Sequence, residues 1–418
     1  MRRWVILHRT ELLIFLLAWV LLALFSGSRF LRQSGAPHFI YQAQAWLQGR
    51  PDIDPAVLPN LEDWACVREM NGRKVRCEGP ALPSDRWYVS FPPFPALLML
   101  PFVALHGYQL NDTSFTVFLA ALALVFFFRA AQRLSVESQR TQTENAALTG
   151  LLGFGTLFFY CAIRGEVWFT AEVLGAGLTS LYLSHAFKAH RPVWAGLFFA
   201  MATLTRTPLV FSGLFFVVQA IQQQGGAKAV AKRLVLFSAG AAPLAISAAG
   251  YNFYRFGSLG EFGHRFLYNN RVNADIDRFG LFHLHYLVRN LEAAFLALPR
   301  VSLDPFRLGY DPHGLSLLLT MPWLLLLLIP RARSRLQGPL WATVAVCALP
   351  GLFYQNTGYM QFGFRFSLDY TPYLVLLLAV SGWSLRTRWP RALIGLGVAV
   401  NLWGALAFRG YTEYIRQR

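Results

Sequence analysis

Long apolar runs with almost no charged residues are the feature that most limits what this chain can fold into. The stretches 11–26, 113–128 and 315–329 are nearly uncharged. Several runs of this kind make more apolar surface than one water-soluble core can bury. Charged residues are only 14% of the 418, and hydrophobic residues are 55%, whereas about a quarter of a typical soluble chain is charged. The sequence therefore excludes a soluble enzyme and predicts an all-α polytopic membrane protein.

The apolar runs predict about eleven transmembrane helices, within a range of about 10 to 13 because several runs are shorter than the ~20 residues that a crossing needs. The predicted spans are 10–26, 113–128, 146–163, 167–187, 193–206, 208–222, 234–251, 314–330, 339–353, 369–384 and 392–408.

The net charge of +17 has a topological explanation. With a cytoplasmic N-terminus, the six inner segments contain 17 basic residues and two acidic ones, Glu137 and Glu144. An excess of lysine and arginine in short inner loops is the positive-inside pattern of membrane proteins. The basic residues therefore give no support for a nucleic-acid partner, and the predicted location is a bacterial inner membrane.

This topology places two long polar segments, 27–112 and 252–313, on the extracytoplasmic side, together with the tail 409–418. Residues 1–408 then form a single transmembrane domain. The segment 91–107 is about 17 residues long and contains four prolines. Its shortness and its prolines predict an interfacial or re-entrant helix rather than a full crossing. The first apolar run lacks a small-residue cleavage site, so no removable signal peptide is expected.

The four cysteines fall into two groups. Cys161 and Cys347 lie in apolar spans, where a small buried side chain is the simplest interpretation. Cys66 and Cys77 flank Asn71-Gly72, a strong signal for a two-residue hairpin turn. Strands paired about that turn place Cys66 opposite Cys77, within disulfide range, and an outer loop is oxidising. The sequence predicts a disulfide here, with a free pair or a weak metal site as alternatives.

A helical bundle with two polar outer segments is typical of three classes: a transferase for lipid-linked substrates, a transporter, or a noncatalytic scaffold. A transporter favours ionisable groups at mid-membrane and internal repeats. We find no repeat, and Glu172 is the clearest deep charge. Other charged residues concentrate at the outer ends of the predicted helices, namely Arg164, Glu166, Arg206, Arg255, Arg365 and Asp369.

An ordered set of segments resembles the GT-C glycosyltransferases, a superfamily that includes the protein O-mannosyltransferases and the lipid A aminoarabinose transferase. These segments are HFIYQAQAWLQGR, YVSFPPFPALLMLPF, RGEVWFTAEVLG and AGLFFAMATLTRTP, within residues 1–225, and QFGFRFSLDYTPYLVLLLA near the end. The resemblance implies inverting transfer of a hexosyl or pentosyl group from a polyprenyl-phosphate donor to a glycan, lipid or protein acceptor on the outer face of the membrane. It also implies an acid in the first outer loop as base or acceptor orienter, and cations that hold the donor phosphate.

The expected first-loop acid is missing, since Pro37 and His38 stand where the family carries it. His38 can replace it because imidazole titrates near neutral pH, and Asp52 or Asp54 are alternatives from further along the loop. Their structural alternatives are a helix-start residue for His38 and a solvated turn for the two aspartates.

The lysine that often precedes the paired prolines is also missing, so the donor phosphate must bind other cations, for which Arg206, Arg365 and Arg164 are candidates. Ordinary structural roles compete: interfacial snorkelling for Arg206 and ion pairs for Arg365 with Asp369 and Arg164 with Glu166. Glu166 stands where the family carries its second outer acid. The resemblance implies that it binds the acceptor or a divalent metal ion. The aromatic segment 251–270 suits a sugar ring, but an ordinary membrane anchor is the favoured interpretation.

Overall fold

The structure is a computed structural model that describes residues 8–58, 63–303, 306–309 and 311–408; the predicted tail 409–418 lies outside the described residues. The chain is mostly helical, which confirms the predicted fold class. The helices are α1 (Arg9–Ser26), α2 (His38–Leu47), α3 (Phe94–His106), α4 (Asp112–Ser138), α5 (Gln142–Phe154), α6 (Phe158–Ala162), α7 (Val167–Ala186), α8 (Pro192–Thr203), α9 (Gly213–Gln222), α10 (Gly226–Phe256), α11 (Asn273–Phe279), α12 (Leu287–Phe295), α13 (Leu317–Thr320), α14 (Leu325–Leu328), α15 (Gln337–Phe353), α16 (Thr371–Val380) and α17 (Arg388–Ala407).

Four helices of the described chain are long and apolar enough to cross a membrane: α1, α4, α10 and α17. Much of the apolar surface of α1 and α10 points away from the protein, as at Leu17, Leu24 and Ile246. A soluble protein would bury these side chains, so their exposure fits contact with lipid. All eleven predicted spans contain helical residues, but the predicted number of crossings is not confirmed.

The predicted span 314–330 is not one helix. It consists of α13, a 3-10 turn over Pro322–Leu324, and α14. Met321 precedes Pro322 and has φ −135° and ψ 63°, because the proline ring disfavours the helical conformation of the residue before it. The segment has the apolar composition of a span, but the proline interrupts the helix.

The centre of the bundle is the contact between α4 and α7. Gly177 of α7 lies so close to Ala123 of α4 that a Cβ on the glycine would be 2.8 Å from the alanine Cβ. Buried Thr116 and Thr170 share a hydrogen bond of 2.6 Å across the same contact. Small residues and hydroxyl pairs are the usual means by which helices approach closely in a membrane.

A second close crossing joins α8 to α10. A Cβ on Gly196 would lie 1.9 Å from the carbonyl oxygen of Phe237, and one on Gly240 would lie 2.0 Å from that of Val193. The two backbones therefore touch, which only glycine allows.

The first outer segment contains α2, α3 and a three-stranded sheet between them. The strands are β1 (Trp64–Met70), β2 (Arg73–Arg76) and β3 (Arg86–Val89), in the order β2-β1-β3. Val67 pairs with Arg76 and Met70 with Arg73, which is the register predicted from the Asn71-Gly72 turn. One step further along, a disulfide joins Cys66 to Cys77. Helix α3 has 13 residues, so it is shorter than a full crossing, while its position relative to the membrane stays a prediction.

The second outer segment contains α11, α12 and a hairpin of β4 (Arg300–Leu303) and β5 (Phe306–Gly309). It is fixed to the bundle at the outer end of α15. Buried Asn290 donates hydrogen bonds to the carbonyls of Leu352 and Tyr354. The two outer segments meet where Tyr268 donates its backbone N–H to the carbonyl of Trp64 at 3.0 Å.

Candidate functional site at the outer helix ends

Four charged residues from three parts of the chain meet near the helix ends that are predicted to face outward, and we call them the ion-pair cluster: Glu172, Arg206, Arg365 and Asp369. Glu172 lies in the second turn of α7, and Arg206 follows α8 just before Pro208 begins a new turn. Arg365 and Asp369 lie in the 3-10 turn before α16. The cluster is buried, because the side chain of Glu172 is fully inaccessible and that of Arg206 is 15% exposed.

Each arginine of the ion-pair cluster is held by a carboxylate from another part of the chain. Arg206 donates from Nε and Nη2 to the two oxygens of Asp369, at 2.9 and 2.7 Å. Arg365 donates from Nε to Glu172 at 3.0 Å, and Nη1 of Arg206 is 3.8 Å from the same oxygen. The predicted alternative that Arg365 pairs with Asp369 is wrong, because the 3-10 turn directs them toward different helices.

One amino group of each arginine makes no hydrogen bond within the described residues, although Nη1 of Arg206 lies 3.8 Å from Glu172. Nη1 of Arg206 and Nη2 of Arg365 donate no hydrogen bond to any residue that the structure describes. Gly175 makes room for the Arg206 stem, since a Cβ there would lie 3.0 Å from Cγ of Arg206. Two positioned guanidinium groups with spare donors are suited to an anionic group.

A row of rings connects this cluster to the first outer segment, and we call it the aromatic row: His38, Phe91, His264, Tyr354 and Phe366. Successive ring centroids are 6.1, 5.3, 6.1 and 5.9 Å apart. Phe366 lies beneath both arginines, with Cζ of Arg206 at 5.6 Å and Cζ of Arg365 at 5.4 Å. Rings beside polar tips can pack on the apolar face of a sugar and bond its hydroxyls.

Of the two histidines in the row, His264 is the one closer to the arginines. Burial and the nearby charge of Arg206 lower the pKa of His264 to about 4, because both disfavour the imidazolium. Its position depends on Gly263, which has φ +108° and whose Cβ would lie 2.8 Å from Cα of Ser90. Because its pKa lies well below 7, His264 is a neutral group at pH 7.

Two carboxylates form a second group, the acidic cluster, which consists of Asp112, Glu166 and their partners Ser34 and Arg164. Asp112 begins α4, is 1% exposed, and accepts hydrogen bonds from the backbone N–H and the hydroxyl of Ser34 at 2.8 and 2.6 Å. Glu166 precedes α7, with 22% of its side chain exposed. The two elements are held together because Gly165 packs on Thr113, where a Cβ would lie 2.5 Å from the backbone nitrogen.

Arg164 and Glu166 form the predicted local pair, with 3.3 Å between Nη1 and Oε1. Arg164 also donates from Nη2 to the carbonyl of Phe408 at 2.7 Å. Its guanidinium lies over the rings of Tyr160 and Phe169, at 4.5 and 5.6 Å. These contacts anchor Arg164 between α7 and the end of α17, so its most evident role is structural.

The two clusters share the first turns of α7. Cζ of Arg365 lies 5.5 Å from the Phe169 ring, the same ring that Arg164 contacts. Val167 donates its backbone N–H to the carbonyl of Ala36 at 3.0 Å. That bond connects the start of α7 to the segment of the first outer loop that contains Pro37 and His38.

The three first-loop candidates occupy different surroundings. His38 is 2% exposed and stacks on Trp64, with ring centroids 4.0 Å apart. Asp52 contacts Arg86 at 3.2 Å and Arg50 at 3.7 Å. Asp54 caps a 3-10 turn by accepting from the N–H of Ala56 and lies 3.5 Å from Arg50. His38 thus belongs to the aromatic row, whereas both aspartates contact arginines of their own loop.

Whether a divalent metal ion fits the acidic cluster can be judged from the contacts of its carboxylate oxygens. Both oxygens of Asp112 already accept from Ser34, and Oε1 of Glu166 contacts Arg164. A divalent cation with oxygen ligands takes about six of them, so these two carboxylates alone would not complete such a site, and the metal ion stays a prediction. Elsewhere in the described chain, Cys66, Cys77 and Asp85 lie within 4.8 Å of one another, but sulfurs joined in a disulfide are not thiolate ligands.

Sequence reasoning missed Asp112 and placed His264 only within a broad aromatic segment. In the sequence, Asp112 has the position of an ordinary first-turn residue of a span, where the helix dipole favours an acid. The signal that distinguishes it is Ser34, which lies 78 residues earlier. Such a contact is invisible to local patterns.

Comparison with known proteins gives one solved structure. No protein family and no curated protein matches the chain. The crystal structure of the Archaeoglobus fulgidus oligosaccharyltransferase in the apo form is similar over 94% of this chain, with a TM-score of 0.48 and 12% identity. The chain spans about half the length of that protein, namely 55%. The side chains described above therefore carry the functional conclusion.

Proposed function

We propose that this protein is a membrane glycosyltransferase that moves one sugar from a polyprenyl-phosphate donor to a glycan, lipid or protein acceptor at the extracytoplasmic face of a bacterial inner membrane. The observation that carries the proposal is the pair of arginines, Arg206 and Arg365. Each is oriented by a buried carboxylate, keeps a donor available, and lies on a row of rings that leads to the first outer segment.

The chemistry follows from these groups. The acceptor oxygen attacks the anomeric carbon of the donor, the bond from that carbon to the phosphate oxygen breaks, and the configuration inverts. The leaving polyprenyl phosphate gains negative charge, which Nη1 of Arg206 and Nη2 of Arg365 can stabilise by charge-assisted hydrogen bonds. The proton of the acceptor hydroxyl goes to a carboxylate.

Glu166 is the carboxylate that we assign to this proton. It is partly exposed, whereas Asp112 is buried; like Asp52 and Asp54 it contacts an arginine, here Arg164. It begins the helix whose Phe169 ring contacts Arg365. His264, neutral at pH 7, is suited to bond a hydroxyl of the bound sugar.

The test is transfer of radiolabelled sugar from a panel of polyprenyl-phosphate sugars by the full-length protein in liposomes. Arg206→Lys keeps a charge for Asp369 but loses the planar fork, and we expect transfer to fall about 100-fold or more because a donor to the developing charge is lost. Arg129→Lys is the matched control, since Arg129 makes the same two-bond pair with Glu11 at the opposite end of the bundle, at 3.0 and 2.6 Å.

Glu166→Gln tests the base, with Glu137→Gln as its control because Glu137 is a partly exposed acid that pairs with Lys188. We expect loss of transfer in the first variant only. Labelled product that persists in both Glu166→Gln and Arg206→Lys would contradict the assigned roles. Movement of polyprenyl phosphate between leaflets without transfer would favour a transporter, and binding without either would favour a noncatalytic scaffold. A chelator in the same assay tests for a divalent cation.

A further inference from the structure

An open groove of about 600 Å³ lies on the outer face, between the hairpin of the first outer segment and the chain that follows α10. Strand β2 forms one wall through Lys74, Val75 and Arg76. Phe256 and Phe266 line the other wall, with stacked rings 5.1 Å apart. A volume of this size is typical of a ligand site.

The charges around the groove are mixed rather than of one sign. The cations that line it are Arg68, Lys74, Arg76 and Arg265. The carboxylates are Glu78, Glu261 and Asp277. Most are paired, as in the two hydrogen bonds from Arg76 to Asp277 at 3.1 and 2.6 Å. Donors and acceptors therefore alternate along the groove while the net charge stays small.

This chemistry favours a neutral carbohydrate. Each sugar hydroxyl both donates and accepts, so it can bond an arginine and a carboxylate of the same pair. The apolar face of a sugar ring can pack on Phe266 and Phe256. A strongly anionic chain would meet three carboxylates, and a hydrocarbon chain would remove the charged groups from water at high cost.

The groove and the candidate site share one wall. The 3-10 turn His264–Phe266 contributes His264 to the aromatic row and contributes Arg265 and Phe266 to the groove. Gly263 holds this turn against Ser90 and Ala65 of the sheet. A chain bound in the groove would thus lie against the same turn that carries His264.

We propose that the groove between β2 and the His264–Phe266 turn binds the carbohydrate part of the acceptor. This inference rests on the proposed function, since it names the acceptor as a glycan. The groove then sets which acceptor is used, while the ion-pair cluster holds the donor.

The test measures binding of neutral oligosaccharides, maltohexaose and chitotetraose, to the full-length protein in lipid nanodiscs, with hexaglutamate as the peptide probe. Arg265→Ala removes an exposed side chain and carries little risk for folding, and Phe266→Leu keeps an apolar, smaller side chain but removes the ring. We expect each to weaken oligosaccharide binding about tenfold, the loss of roughly one charged hydrogen bond or one stacking contact. Arg73→Ala is the control, because Arg73 lies on β2 but does not line the groove.

The outcomes separate the two proposals. Equal binding in all three variants, or binding of hexaglutamate but of neither oligosaccharide, would overturn the groove assignment. The groove assignment would also be overturned if Arg265→Ala left the KM for a glycan acceptor unchanged in the transfer assay. The proposed function would then still stand. If the groove variants weaken oligosaccharide binding but no donor supports transfer, the proposed function is overturned instead. The groove then stands as a carbohydrate site. Arg206→Lys should keep oligosaccharide binding while it loses transfer.

Discussion

The ion-pair cluster and the acidic cluster lie at the same end of α7 but are built on opposite principles. The ion-pair cluster joins two arginines to two carboxylates, so its charges cancel within the bundle. The acidic cluster holds two carboxylates against one arginine, and its buried acid, Asp112, depends on hydrogen bonds from Ser34. The difference teaches that one cluster is held by charge and the other by close backbone packing and neutral hydrogen bonds. Four substitutions can break or sharpen this contrast.

The largest effect is expected from Glu172→Ala. It leaves Arg365 without its carboxylate in a buried site, and breaking a buried pair from one side costs about 3 to 5 kcal/mol of unfolding free energy. The double variant Glu172→Leu/Arg365→Met removes both charges, and we expect it to be more stable than the single one. Denaturant-induced unfolding in mixed micelles measures both, and a double variant less stable than Glu172→Ala would show that charge cancellation is not what holds this cluster.

Gly165→Ala should rank second. The new Cβ would lie 2.5 Å from the backbone nitrogen of Thr113, so α7 and α4 must separate, at a cost of about 2 to 3 kcal/mol. Gly150→Ala is the control, because Gly150 is helical and has no atom within 4 Å of the added Cβ, and we expect it to be neutral or slightly stabilising. Similar thermal unfolding midpoints for the two variants would argue against packing as the support of the acidic cluster.

Ser34→Ala tests the hydrogen bonds of the same cluster. It removes the hydroxyl donor at 2.6 Å from Asp112 but keeps the backbone N–H. We expect a loss of about 1 to 2 kcal/mol, since one bond to a carboxylate is lost while one remains. Adding Asp112→Asn should change the stability less in the Ser34→Ala background than in the wild type. Strictly additive losses in this double-mutant cycle would mean that the two residues are not coupled.

The smallest effect concerns pH. Because the pKa of His264 is lowered to about 4 from an ordinary value near 6.5, the unfolded chain binds this proton first as the pH falls. The contribution of His264 to stability is therefore unaffected above pH 6.5, decreases as the pH falls toward 4, and is level below that. His264→Phe should flatten the slope of unfolding free energy between pH 6.5 and 4. An identical slope in both proteins would place His264 in a less buried setting.

Local sequence signals account for the helices, the hairpin and the separate charged residues. The hairpin register follows from Asn71-Gly72 and the symmetric spacing of Cys66 and Cys77, since all of these signals lie within twelve residues. The pairing of Arg365 with Glu172 spans 193 positions, and it depends on how helices pack rather than on any local period. The structural alternative for Arg365 was therefore a pair with Asp369, four positions away, although the fold gives each a distant partner.

The break at Pro322 was equally hard to foresee. The leucines of 315–329 satisfy the composition of a span, and proline is tolerated in many membrane helices because neighbours can satisfy the freed backbone groups. Here Asn401 of α17 donates to the carbonyl of Thr320 at 2.7 Å, which satisfies one acceptor at the interruption. A partner of the interrupted helix thus lies about 80 positions away, where no local pattern shows it.

The close crossing of α8 and α10 also bears on how a lipid could reach Arg206. At Gly196 and Gly240 the two helices touch main chain to main chain, so no gap for a hydrocarbon tail is left at that point. Under the proposed function, a polyprenyl chain that approaches Arg206 would therefore pass on another side of α8. Two residues without side chains thereby restrict the routes open to the lipid.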